Sequence, residues 1–135
     1  MVAGPQNPLT RRRKLALNDL LNEPWTLPPP DTVVGAYLSD AFRAAGLDRP
    51  RTVVTSASIQ VHHALMASGP FLAIFPRSLL RFSAGRLAVK VLPVELPGPP
   101  PPVGIVTVKN RTLSPVTQLF IACAREVAAP LAKRR

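Results

Sequence analysis

The residues best suited to binding chemistry are two serines in the turn at 56–58, between a β-branched run and an apolar stretch of helical spacing. Ser56 and Ser58 supply hydroxyls, and together with Ala57 and Ile59 they supply backbone N–H groups at the start of a helix. Such a start is a natural seat for a carboxylate. An alternative stays open at this point, namely that the two serines only cap the helix.

A stiff segment at residues 28–32 offers a similar rim ahead of another helix. Pro29 and Pro30 restrict the backbone, while Asp31 and Thr32 are both good N-caps for a helix that begins near residue 33. We expect Pro29, Pro30 and Thr32 to line the same ligand-binding site as the serines.

The remaining reactive side chains do not suggest catalysis or metal binding. His62 and His63 are adjacent and point about 100° apart on a helix, so they cannot chelate one metal together, and we expect both at the surface or half-buried. The seven acidic residues are spread too thinly for a catalytic pair. Cys123, the one cysteine, lies in an apolar helix pattern and is expected to be a buried, inert thiol. The sequence predicts no enzyme, no metal and no cofactor.

A strand–helix–strand pattern in residues 51–80 positions the serine pair. The run at 52–55 predicts a strand, helical spacing follows from residue 59, Gly69 ends the helix, and the apolar run at 71–75 is typical of a strand buried on both faces. Strands in this arrangement are parallel and joined by a right-handed crossover. Because α/β proteins receive ligands at the carboxyl end of such strands, the turn at 56–58 is the first candidate site.

The flanking segments complete an α/β domain. The first residues are too few for a strand of their own, and the prolines at 97–102 predict a polyproline connector. The other expected elements are short helices at 15–21 and 77–82, strands at 25–27, 86–96 and 103–109, a helix from residue 33 that stops at Gly46, and a C-terminal helix capped by Ser114.

Length and hydropathy place the chain among soluble domains. Its 135 residues suffice for one domain or a piece of one, and 47% of them are hydrophobic. No apolar run approaches the roughly 20 residues that span a bilayer, and no signal peptide pattern follows Met1. We expect a soluble cytoplasmic protein that does not enter membranes.

The net charge of +10 raises the possibility of nucleic-acid binding. Basic residues cluster only at 11–14 and 133–135, and one Trp and one Tyr are available to stack on bases. The distribution therefore favours a solvated basic surface, and a small basic nucleic-acid-binding protein stays the alternative function. A third possibility, an enzyme, lacks a cluster of acid, base or nucleophile.

Six segments in order carry a family resemblance. They run from about residue 2 to residue 131 and read "GPQNPL", "LNDLLNEPWTLPPPDT", "FRAAGL", "TSAS…HALMASGPFLAIFPRSLL", "VLPVELP" and "VGIVTVKNRTLSPVTQLFIACAREV". In this order and spacing the chain resembles the C-terminal portion of LysR-type transcriptional regulators.

The resemblance implies half of a two-lobed fold similar to type 2 periplasmic binding proteins, with a three-layer subdomain and a mostly parallel sheet. Residues 1–14 would form the end of a first crossover strand with the hinge and a basic turn. Residues 15–102 would form the second effector-binding subdomain, and residues 103–135 would form the returning crossover strand and the last helix of the first subdomain.

The resemblance also implies a function. A small-molecule effector, often an organic acid, would bind between two lobes, and closure about a hinge that includes Gly4, Pro5 and Val106 would be passed to DNA-binding domains. The parent protein would be a homodimer or tetramer. It would contact DNA only through an N-terminal winged helix-turn-helix, whose pattern is missing from this sequence, so we expect the chain to be a fragment.

Overall fold

The structure is a computed structural model that describes residues 1–82 and 87–132. The chain divides into two compact units, Met1–Pro101 and Pro102–Arg135. Among the described residues, no helix combines the length and the hydrophobicity needed to cross a bilayer. The basic cluster at 133–135 lies outside the described residues.

The first unit is built on a five-stranded sheet. Its order is β3-β2-β4-β1-β5, in which β2 pairs in parallel with β3 and β4, while β1 pairs antiparallel with both β4 and β5. Four strands thus share one direction, and the prediction of an α/β fold with a mostly parallel sheet is confirmed. The strands are β1 (Val2–Ala3), β2 (Trp25–Leu27), β3 (Thr52–Thr55), β4 (Leu72–Ala73) and β5 (Lys90–Val91).

Helices cover both faces of this sheet because neighbouring strand residues point to opposite sides. Trp25 and Leu27 pack with Leu38 and Phe42 in one apolar cluster, and Ala73 packs with Met66 in a second cluster. The described helices of the first unit are α1 (Val33–Ala44), α2 (Ile59–Ser68) and α3 (Arg77–Phe82), with 3-10 turns at Pro8–Arg11 and Leu17–Leu20. The result is a three-layer subdomain.

The largest side chains of the core explain why α1 docks where it does. Trp25 and Phe42 are fully buried and meet edge to face, with ring centroids 6.2 Å apart. The indole N–H of Trp25 donates to the carbonyl oxygen of Leu20 at 2.8 Å, so its one polar atom is satisfied inside the core. This contact also ties the 3-10 turn at Leu17–Leu20 to the sheet.

Several elements are shorter than the sequence predicts. The strand expected at 71–75 is only β4, the strand expected at 86–96 is only β5 among the described residues, and the helix expected at 15–21 is a single 3-10 turn. Conversely, Val2 and Ala3 form a strand because β4 and β5 flank them on both sides. Hydrogen bonds to a neighbouring strand, rather than local composition, set the lengths of these strands.

The second unit consists of an extended segment and α4 (Pro115–Ala132). The Ser114 hydroxyl accepts from the Thr117 N–H at 3.2 Å, which confirms the predicted cap. The strand predicted at 103–109 does not form in this chain, because no partner strand pairs with this segment among the described residues, and its place as a returning crossover stays a prediction. A lone β-branched run cannot satisfy its backbone as a strand without a neighbour.

The predicted burial of Cys123 is also wrong. This thiol is exposed on α4, as are the large apolar side chains of Val116, Leu119 and Phe120. The helical spacing of apolar residues correctly indicated a helix. It did not establish that both sides of the helix are covered in this chain.

Candidate functional site

The two predicted binding loops lie side by side at one edge of the sheet. The proline loop (residues 28–32) follows β2, and the serine turn (residues 56–58) follows β3, the strand that pairs in parallel with β2. The N–H of Ser56 donates to the carbonyl oxygen of Leu27 at 3.0 Å, which joins the two loops at their bases. We call this side, where β2, β3 and β4 end, the carboxyl edge.

The serine turn is a compact helix start. The Ser58 hydroxyl accepts from the Val61 N–H at 3.4 Å and donates to the Gln60 side-chain oxygen at 3.0 Å. The Ser56 hydroxyl oxygen accepts from the Ser58 N–H at 3.1 Å. Ser58 therefore acts as the N-cap of α2, whereas the Ser56 hydroxyl hydrogen has no acceptor among the described residues. Ala57 and Ile59 are exposed beside them.

The proline loop satisfies more of its own polar groups. The Thr32 hydroxyl accepts from the Gly35 N–H at 3.1 Å and donates to the Pro29 carbonyl oxygen at 2.7 Å. A Cβ at Gly35 would overlap that same carbonyl oxygen, so the residue type permits the close approach of helix and loop. Pro30 stays exposed at the rim.

The starts of α1 and α2 bring unpaired amides to the carboxyl edge. The first N–H groups of a helix have no acceptor within the helix, which leaves Val33 and Val34 in α1 and Ile59 and Gln60 in α2. Both helices also direct the positive ends of their dipoles toward this edge. Neither helix has an acidic residue in its first turn, although Asp31 lies in the proline loop. The arrangement suits an anion, and it suits one better at the serine turn.

A buried polar pair beneath the serine turn was not predicted as part of the site. His62 is 4% exposed, and its Nδ1 lies 2.7 Å from the hydroxyl oxygen of Thr26, a fully buried residue in the middle of β2. The expectation of a surface or half-buried residue is therefore wrong for His62, and His63 is partly buried. The sequence signal that could have revealed this pair is Thr26, a polar residue between Trp25 and Leu27 in a buried strand.

Burial sets the protonation of His62. Loss of solvent lowers the pKa of the imidazole from its ordinary value, and a hydrogen bond with the backbone of Ser56 partly offsets this effect. The ring also packs edge-on against Phe75, with centroids 6.4 Å apart. The neutral imidazole is thus linked to the serine turn, to β2 and to the chain after β4.

Arg49 is a second residue that sequence reasoning missed. Its Nη2 donates to the carbonyl oxygen of Pro28 at 3.5 Å, and its Nε is buried with no hydrogen-bond partner in the part of the chain that the structure describes. A single arginine before a strand carries no recognisable pattern. The fold nevertheless brings its positive charge to the proline loop.

The predicted hinge residues do not gather at the carboxyl edge. Because β1 runs against β4, the Gly4 N–H donates to the carbonyl oxygen of Phe71 at 3.2 Å, at the end where β4 begins. Gly4 and the exposed Pro5 thus lie on the opposite edge from the serine turn, and Met1 is at the nearer end of β1. Val106 belongs to the second unit, where it is exposed.

Neither the described side chains nor the concave surfaces reveal another obvious centre in the first unit. Within residues 1–82 and 87–132, no three His, Cys, Asp or Glu residues are grouped closely enough to hold a metal ion. Two open concave surfaces lie in the second unit, and both are lined by Thr107 and Leu113. The carboxyl edge is an open surface of the first unit.

Comparison with known proteins identifies the family of this chain. The family model described as the LysR substrate-binding domain matches residues 1–129. The chain is 30% identical over 120 residues to the HTH-type transcriptional regulator GbpR of Azospirillum brasilense, covering 88% of this chain and 35% of that protein. It is 29% identical over 113 residues to the HTH-type transcriptional regulator GalR of Pseudomonas putida, covering 84% and 28%.

A third relative gives the same picture. The transcriptional dual regulator GltC of Bacillus subtilis is 28% identical over 114 residues, which is 84% of this chain and 37% of that protein. The chain thus spans about a third of the length of these relatives. The family match covers all but six of the 135 residues. The chain belongs to the LysR substrate-binding domain family.

Proposed function

We propose that this chain is the effector-sensing part of a LysR-type transcriptional regulator and that it binds a small organic acid at the carboxyl edge. The observation that carries the proposal is the convergence of two helix starts, those of α1 and α2, on neighbouring loops of one sheet edge. A carboxylate placed there would accept from amides that the helices cannot use themselves.

The serine turn is the primary seat in this proposal. Asp31 places a negative charge in the proline loop, whereas residues 56–62 contain no acid. The Ser56 hydroxyl and the amides of Ala57, Ile59 and Gln60 would donate to the carboxylate, with Pro29, Pro30 and Thr32 forming the rim. Arg49 would add positive charge from the side of the proline loop. Each hydrogen bond to a charged group contributes about 1.5–3 kcal/mol.

Regulation by hinge closure follows from the same proposal. In the parent protein the first subdomain would face the carboxyl edge, and the effector would bind one closure state more tightly than the other. The direction of β1 favours a hinge near Met1 over one at Gly4 and Pro5. Val106 stays a proposed element of the returning crossover.

The proposed parent is a homodimer or tetramer in the bacterial cytoplasm. DNA would be bound through a separate helix-turn-helix domain, as the names of two relatives indicate for those proteins. The relatives are named as transcriptional regulators, which supports a non-enzymatic role. We assign no catalytic step to the chain.

Amide signals of the 135-residue chain, followed by NMR during titration with benzoate, test the proposal. We expect the signals of Ala57, Ile59 and Gln60 to shift and saturate, and benzamide, the neutral probe of the same shape, to leave them unchanged. Loss of the Ser56 hydroxyl in Ser56→Ala should weaken benzoate binding by about tenfold.

The matched control is Ser68→Ala, at the exposed far end of α2, where the hydroxyl donates only to the Leu65 carbonyl oxygen. It should bind benzoate like the unchanged chain. Acetate and succinate extend the panel to smaller and dicarboxylic anions. Absence of any shift at the serine turn with all three carboxylates would refute the site.

One observation keeps nucleic-acid binding as a second candidate. Arg11, Arg12, Arg13 and Lys14 are consecutive and all exposed. Filter binding of nonspecific DNA would then show micromolar affinity that falls steeply with salt, with a slope of about −0.9 for each phosphate neutralised. Affinity that is weak at low salt would dismiss this candidate.

A further inference from the structure

His62 differs from the other polar residues of the carboxyl edge because it can change its charge while buried. It lies one helical turn after the N-cap, and its backbone N–H donates to the Ser58 carbonyl oxygen at 3.2 Å. Its ring reaches across to β2, where Thr26 lies 2.7 Å away. A titratable group therefore sits directly beneath the amides proposed to hold a carboxylate.

The partners of the ring accommodate both charge states. A hydroxyl is both a donor and an acceptor, so the Thr26 hydroxyl can donate to a neutral Nδ1 and can accept from a protonated one. A backbone carbonyl, as in the hydrogen bond with Ser56, accepts from a ring N–H in either state. Protonation therefore does not require the buried pair to separate.

Among the described residues, the groups recorded in contact with the ring carry no charge. They are the Thr26 hydroxyl from β2, the Phe75 ring from the segment after β4 and the backbone of Ser56 from the serine turn. On α2 itself, the next titratable group is His63, whose Nε2 accepts from the Ala88 N–H at 3.3 Å. Arg77, two residues beyond Phe75, acts on the Met1 ammonium group. Desolvation is thus the main force that keeps the ring of His62 neutral.

We propose that His62 couples carboxylate binding at the serine turn to proton uptake, so that the anion binds more tightly as the pH falls below neutrality. The coupling rests on the proposed function, because it requires a negative charge at the start of α2. An anion about one helical turn from the imidazole favours the charged ring and offsets the cost of burying it. By linkage, protonation of the ring favours the anion by the same factor.

NMR titration of the 135-residue chain with benzoate tests this inference. Benzoate stays ionised down to about pH 5.5, since carboxyl groups titrate near pH 4. We expect saturating benzoate to raise the pH midpoint of the His62 ring signals. A rise of about one pH unit corresponds to a benzoate affinity that begins to increase below the raised midpoint. The affinity is about tenfold higher once the pH lies below the midpoint measured without benzoate.

Variants separate this coupling from a structural role of the residue. His62→Gln should abolish the pH dependence of benzoate affinity between about pH 7.5 and 5.5, while His63→Gln should retain it. Thr26→Val keeps the imidazole but removes the acceptor that a protonated Nδ1 needs, so the ring should titrate at a lower pH and the rise in affinity should shrink. This second variant keeps the test decisive where His62→Gln does not fold.

The possible results distinguish the two proposals. If benzoate shifts the serine-turn amides with the same pH dependence in His62→Gln as in the unchanged chain, the coupling is wrong and the binding site stands. If benzoate leaves those amides unchanged at every pH, the binding site and the coupling both fail. A His62 midpoint that does not move with benzoate overturns the coupling alone.

Discussion

The proline loop and the serine turn have the same local structure, but different side chains pack beneath them. Each follows a parallel strand and starts a helix under a hydroxyl cap, Thr32 in one and Ser58 in the other. Beneath the proline loop, α1 presses Leu38 and Phe42 into an apolar cluster. Beneath the serine turn, α2 instead places His62 against Thr26.

This difference indicates that the two loops have different roles, one in stability and the other in binding. The Thr32 hydroxyl donates to Pro29 within the loop and accepts from Gly35 in α1, which packs against the backbone of Pro29. The serine turn leaves the Ser56 hydroxyl hydrogen without an acceptor among the described residues, and it lies over a group that can titrate. We infer that the first loop mainly fixes the fold and that the second is adapted to a ligand.

A substitution in the apolar cluster beneath the proline loop should have the largest effect on stability. Leu38→Ala removes a fully buried side chain and should lower the free energy of unfolding by about 2–5 kcal/mol, because it loses apolar burial and leaves a cavity. Urea denaturation measures this change. Val33→Ala, at an exposed position of the same helix, should stay within about 0.5 kcal/mol, and an equal loss in both variants would contradict the comparison.

A substitution in the buried polar pair beneath the serine turn should have the next largest effect on stability. Thr26→Val leaves the buried Nδ1 of His62 without its partner and should cost about 1–3 kcal/mol in unfolding free energy. Thr52→Val is the matched control, since that hydroxyl is half-buried and makes only a 3.4 Å contact to the Pro50 carbonyl oxygen. Chemical denaturation of both variants would show whether the buried pair stabilises the fold.

The two helix caps allow a direct comparison of the loops. Ser58→Ala should cost about 1 kcal/mol in stability, as is usual for a lost N-cap. Thr32→Ala should cost more, toward about 2 kcal/mol, because its hydroxyl makes two short hydrogen bonds, one to Pro29 in the loop and one to Gly35 in α1. If thermal denaturation ranks the two variants in the opposite order, the proline loop is not the more self-contained of the two.

The smallest effect is expected in the pH dependence of stability. The pKa of folded His62 lies below the unfolded value of about 6.5, so the unfolded chain binds more protons between the two values. Unfolding free energy should therefore be fully retained above about pH 6.5 and should decline as the pH falls toward the folded pKa. His62→Gln should flatten this decline and His63→Gln should keep it, as measured by denaturation at each pH.

Local sequence patterns were sufficient where one element carries its own signal. β3 occupies the predicted residues, and α1 and α2 begin directly after Thr32 and Ser58, each of which is one of two predicted candidates for its cap. The pairing of β2 with β3, which places both predicted loops at one edge, is visible only in the structure. Caps, glycine stops and β-branched runs are local, so one sequence reveals them.

Features that depend on distant partners were not predictable in the same way. The segment at 103–109 has the composition of a strand but no ladder among the described residues, and Cys123 lies on an apolar pattern that is not covered. The burial of His62 depends on a hydroxyl 36 positions away in the sequence. Spacing identifies an element, whereas burial and pairing depend on what the rest of the fold places beside it.

The short strand β1 has a practical consequence for protein engineering. In the described sheet, Val2 and Ala3 alone connect β4 to β5, so the first residues of the chain occupy an interior position between two neighbours. A fusion partner joined at Met1 must leave the backbone of Val2 and Ala3 free to pair with both neighbouring strands. A reporter or affinity handle is better attached through a long flexible linker or inserted at an exposed site such as Gly104.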